Sequence, residues 1–74
     1  MKDIRIVEDY AKYEIDRISQ MDMDQYEIGY HWNRCNVVVG NYKRGLITIE
    51  EAMTEISAIY REAKTAEAEW EEQK

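Results

Sequence analysis

Glu27, His31 and Cys35 stand at steps of four residues. On a helix that spacing stacks three side chains on adjoining turns, and all three residue types can bind zinc. A structural zinc site takes four protein ligands, and a catalytic one takes three and keeps a position open. The chain holds a single His and a single Cys, so a symmetry-related chain would have to complete the set. The stronger reading is a Glu27–His31 surface pair beside a buried thiol, because an unpaired cysteine behaves as a small apolar residue. His31 and Cys35 also contain two parts of a thiol nucleophile, which needs an exposed, activated sulfur and a third, orienting group. Cys35 falls within an apolar stripe, so the sequence predicts burial instead. Asp22 and Asp24 lack the Asp-x-Asp-x-Asp-Gly run of a calcium loop, and no glycine-rich phosphate loop exists. The sequence therefore predicts no catalytic residue, no cofactor and no metal.

A second group could touch nucleic acid. Arg34, Lys43 and Arg44 are the cations of the middle segment, and Tyr30, Trp32 and Tyr42 could stack on bases. Three cations are few, Trp32 and Tyr42 read as core, and the flanks are acidic. Residues 1–27 carry eight acidic against four basic residues, 28–49 carry three basic and no acidic, and 50–74 carry eight against three. The segments sum to the net −6 of the chain. Such a surface repels phosphate, so direct nucleic-acid binding is not expected; a basic protein partner is.

The elements that position these residues follow from periodicity. The chain has no proline, three glycines and 35% charged residues, which argues for an all-α fold. Ile4, Val7, Ala11, Ile15 and Ile18 recur at steps of three and four, with Ile6, Tyr10 and Tyr13 widening the face. Asp22 with Gln25 and Asp24 with Glu27 are overlapping helix-start signals, so a break is expected there rather than one long bent helix. The second helix carries the seam Ile28, Trp32, Cys35, Val39, Tyr42 and Leu46, spaced four, three, four, three, four. Val37-Val38-Val39 followed by Gly40-Asn41 is also a hairpin signal over 36–49. The helical period favours helix. Gly45 is placed to end it, with Leu46 folding back, and Lys43 and Arg44 suit the negative end of its dipole. Thr48 and Glu51 then form a capping box, and Ile47 and Ala52 a hydrophobic staple. The third helix carries Ile49, Ala52, Met53, Ile56, Ile59, Tyr60, Ala63, Ala66 and Trp70.

The stretch Tyr42-Lys43-Arg44-Gly45-Leu46-Ile47-Thr48-Ile49-Glu50-Glu51-Ala52 resembles the helix–Gly–Leu–Ile–Thr–x–Glu–Glu hairpin of short C-terminal (SHOCT-type) domains, and is similar to hairpins of small phage and mobile-element proteins. The resemblance covers about eleven residues and implies a helical hairpin used for assembly. It transfers no catalytic residue.

The expected architecture is a single domain over residues 1–74, a small three-helix bundle with helices near 3–20, 23–44 and 48–72. A chain of this size buries only about 60% of its unfolded surface, so pairing with a second copy would complete it. The lone cysteine excludes an internal disulfide and suits a reducing, cytoplasmic compartment. No stretch has the length of a membrane span, and the start lacks the apolar run of a signal peptide.

Six Tyr and two Trp with no Phe suggest a contact surface, since these residues join apolar area to a polar handle. The expectation is a non-enzymatic, acidic protein-binding regulator, of the inhibitor type carried by phage, docking on a basic surface of a nucleic-acid-processing protein. Its contact residues would be Tyr10, Tyr13, Tyr26 and Tyr30, with Glu8, Asp9, Asp22 and Asp24 around them. The competing expectation is a self-assembling structural protein whose central seam, Trp32, Val39 and Tyr42, pairs with its copy.

Overall fold

The computed structural model describes the backbone of residues 2–73 and the side chains of residues 4–73. Three helices follow one another: α1 (Lys2–Ser19), α2 (Gln25–Lys43) and α3 (Ile49–Glu72). Each packs on the other two, in a rod 45 × 16 × 16 Å. No strand occurs among the described residues, so the Gly40-Asn41 pair lies inside a helix and the hairpin reading falls.

The ends of the helices are set by local chemistry. Asp24 caps α2, its side chain accepting the Tyr26 N–H. The turn from Gln20 to Asp24 tucks Met21 and Met23 into the core. At the far end of α2, the Gly45 N–H donates to the Tyr42 carbonyl and the Leu46 N–H to the Asn41 carbonyl, both at 3.0 Å. That pairing needs a left-handed residue, and Gly45 supplies it with φ 76°. Thr48 and Glu51 satisfy each other's backbone N–H groups, forming the expected capping box. Leu46 does not fold back; it is 67% exposed. Ile47 packs on the core instead, above fully buried Ala52.

The core is built from Val7, Ala11 and Ile18 of α1, Cys35 and Val38 of α2, and Ala52, Ile56, Ile59 and Ala63 of α3. Two polar residues share it. Glu14 is buried in the α1 line and satisfied by Arg17 at 2.8 Å and by the Tyr10 hydroxyl at 3.4 Å. His31 is buried in α2. The buried line of α2 is thus His31, Cys35 and Val38, shifted from the expected seam. Val39 and Tyr42 keep partial contact with the core, whereas Trp32 turns outward and its indole N–H donates to Ser19 Oγ at 3.0 Å. Ile6 and Tyr13, expected to widen the α1 face, are about half exposed, leaving that face narrower.

Candidate interaction surface

The chemistry-bearing trio is split by burial. Cys35 is fully buried, and its thiol is pushed up to about 11 by desolvation, reinforced by the negative charge of Glu14. A thiol held protonated in this way is neither a nucleophile nor a ready metal ligand. Among the described residues, no group of three His, Cys, Asp or Glu is arranged to hold a metal ion. His31 is not the surface residue expected. It is 3% exposed, its Nε2 lies 3.7 Å from Glu27 Oε2, and neither ring nitrogen has a hydrogen-bond partner among the described residues. Desolvation holds the imidazole below its ordinary pKa, against the carboxylate of Glu27. The reason sequence reading missed it is register. The core line of α2 runs one residue earlier than Trp32 implied, and His31 falls in it.

The four expected contact tyrosines separate into two pairs, with the four acidic residues spread among them. On the α1–α3 side, the Tyr10 hydroxyl is bonded to Ser57 Oγ at 2.6 Å, inside the bundle. Tyr13 is 57% exposed, with the Arg17 guanidinium 5.3 Å from its ring and 3.8 Å from that of Tyr60. On the α2–α3 side, Tyr26 and Tyr30 are 88% and 57% exposed, and Arg34 lies 5.5 Å from the Tyr30 ring. Of the acidic residues, Glu8 pairs with Lys43 at 2.9 Å across α1 and α2, Asp24 caps α2, and Asp9 is exposed. The exposed Asp22 donates its backbone N–H to Glu67 Oε2 at 2.8 Å, tying the first turn to α3. The tyrosines therefore do not form one face; α3 stands between the two pairs.

A more continuous surface lies along α2 and the neighbouring edge of α3. A cleft of about 320 Å³ between these helices is lined by Asn33, Arg34, Val37, Val38, Asn41, Glu55, Ala58 and Ile59. Glu55, Glu62 and Glu69 follow one another at seven-residue steps and so share one edge of α3. Each meets α2 or its start: Glu55 in the cleft, Glu62 in an ion pair with Arg34, and Glu69 beside Met23 and Glu27. The hydrogen bond from Arg34 holds the Glu62 carboxyl below the usual range, so it stays ionised. Val37, more than half exposed, lines the α2 side of the cleft, and Tyr30, also more than half exposed, stands two turns earlier on α2 beside Arg34. Periodicity had marked Tyr26 and Tyr30. The glutamate row was readable as a seven-residue repeat, but which helix it faced was not.

No helix among the described residues is long and apolar enough to cross a membrane. Comparison of the chain with family models, curated proteins and solved structures gives no match.

Proposed function

We propose that the chain is a non-catalytic, acidic protein-binding regulator whose α2–α3 side docks on a basic surface of another protein. The observation that carries this reading is the row Glu55, Glu62 and Glu69 running beside a cleft of mixed lining, in which Val37, Val38, Ala58 and Ile59 are the apolar part. A basic helix or groove wall meets there an apolar contact in Val37 and Tyr30 and the carboxylates of Glu55 and Glu69 to pair with, on either side of the Arg34–Glu62 pair. The net charge of −6 speeds encounter with such a partner and sets it in competition with nucleic acid for the same basic surface. An inhibitor of a nucleic-acid-processing protein, of the kind carried by phage, acts in this way.

The test is a pair of immobilised baits in nuclease-treated lysate, the native chain and Glu55→Lys/Glu69→Lys, eluted with rising salt. Both positions are exposed, so the variant should keep its helicity by circular dichroism. The expected result is one stoichiometric partner with a basic surface, released from the native bait by moderate salt and absent from the variant. A partner held equally by both baits refutes this docking edge.

A further inference from the structure

We propose that the outward face of α2 packs against the same face of a second copy of this chain, antiparallel, about a two-fold axis at Asn33. The inference stands on α2 alone and does not depend on the docking reading above.

The face is defined by the bundle. With successive residues about 100° apart, Tyr26, Gly29, Tyr30, Asn33, Asn36, Val37 and Gly40 lie opposite the buried line of α2. All but the half-buried Gly40 are exposed. None of the seven is charged, in a chain that is 35% charged. A helix whose only task is to cover a core puts charged residues on its solvated side. Here that side carries two tyrosines and a valine at helical spacing.

The glycines supply an independent observation. A glycine inside a helix costs about 1 kcal/mol relative to alanine. A Cβ placed on Gly29 or on Gly40 would meet nothing within 4 Å. The folded monomer therefore gives no steric reason for either glycine. A helix approaching from outside does.

A second copy fits because large meets small under the two-fold operation. Antiparallel helices related by an axis at Asn33 pair positions whose numbers sum to about 66, with flanking positions one to either side. Tyr26 then lies over Gly40 of the second copy, Tyr30 beside its Val37, and Gly29 beside its Asn36. Asn33 meets its own copy on the axis, where a matched pair of amides fixes register. The ends are complementary in charge: Arg44, exposed at the end of α2, comes to the turn where Asp22 and Asp24 of the second copy stand. The helix dipoles also oppose. A parallel pair would instead set Arg44 against Arg44 and Tyr26 against Tyr26. The two-fold leaves both α3 helices on one side, so their glutamate edges flank a floor of Tyr30–Val37 pairs.

Light scattering over a concentration series tests the pairing, and Gly40→Leu tests the face. The native chain should pass from monomer to dimer, and Gly40→Leu should weaken the dimer by at least about tenfold. The same variant should melt no lower than the native chain at concentrations where both are monomeric, because leucine favours helix and its Cβ meets nothing within 4 Å. Cross-linking then reads direction. Asn33→Cys should form a disulfide with its own copy. Tyr26→Cys should link to Gly40→Cys in a mixture but not to itself, since its two copies stand about 21 Å apart along the axis. Buried Cys35 stays out of exchange. Rising salt should preserve or tighten the dimer by screening two copies of net −6, the reverse of its effect on a basic partner. A chain monomeric up to about 1 mM, a dimer indifferent to Gly40→Leu, or self-linking of Tyr26→Cys overturns the proposal.

Discussion

Replacing His31 by leucine should stabilise the fold, and the gain should grow as the pH falls. His31 is 3% exposed with both ring nitrogens unpaired among the described residues. A buried polar group without a partner costs about 1–3 kcal/mol, and leucine fills a similar volume without it. At pH 8 the variant should gain about 1 kcal/mol, which for a domain this small raises the melting midpoint by roughly 4–8 °C. The pH term has a definite sign. Desolvation lowers the His31 pKa in the folded chain, and Arg34 adds to this while Glu27 and Glu62 oppose it. Below about pH 6.5 the unfolded chain therefore binds a proton that the folded chain refuses. Native stability is full above that pH and declines beneath it, by at most about 1.4 kcal/mol per unit, until the folded pKa is reached. His31 is the single histidine, so the difference between the native chain and His31→Leu isolates this titration from that of the carboxylates. Urea unfolding by circular dichroism from pH 8 to pH 5 provides the assay. Parallel profiles, or a variant less stable at every pH, would refute the account of His31 as a buried neutral ring.

Other perturbations read single contacts. Gly45→Ala places a side chain at φ 76° and should cost about 1–2 kcal/mol in the same unfolding assay. Thr48→Ala removes the cap of α3 and should cost about 1 kcal/mol. Tyr10→Phe removes the bonds to Ser57 and Glu14 and should cost about 1 kcal/mol, with the partner-binding side untouched. Cys35, fully buried with its pKa near 11, should react with a disulfide reagent at a rate that tracks unfolding by urea; fast labelling of the native chain would contradict its burial.

Much of the fold was legible because it is written in short-range chemistry. The turn from Lys43 to Glu51 is specified by Gly45, Thr48 and Glu51 acting within one or two helical turns, so no tertiary knowledge was needed to place it. The break before α2 was readable from Asp24 for the same reason. The helix limits shifted by one or two residues, from 23–44 to 25–43 in α2, because capping bonds rather than apolar residues decide them. Apart from Leu46, expected over the last turn of α2 and in fact exposed, the errors are long-range. Glu14 sits on the line from Ala11 to Ile18, but a carboxylate there is credible only once Arg17 and Tyr10 are seen to satisfy it. Tyr10, expected as a contact residue, also joins α1 to α3 through Ser57, forty-seven positions away, a bond that no local pattern shows.

The seam of α2 failed for a reason that also explains its surface. A helix with apolar residues on one side announces its register, whereas α2 has them on both. Ile28, Cys35, Val38 and Tyr42 turn inward while Tyr26, Tyr30 and Val37 turn outward. Trp32 lies between the two sets, and the hydrogen bond to Ser19 fixes it on the α1 side, where it is 41% exposed. With apolar residues around the whole circumference, a heptad count can be started at Trp32 or at His31, and periodicity cannot choose between them. Packing chooses: both registers carry Cys35, but only the His31–Cys35–Val38 line keeps the large indole of Trp32 out of a narrow core. The same ambiguity gives α2 an outward face without charge, whereas α1 and α3 turn acidic and basic residues to solvent. The residue pattern that hid the register is therefore the one that leaves a second surface to be covered. Covering it would add to the core that three short helices supply alone.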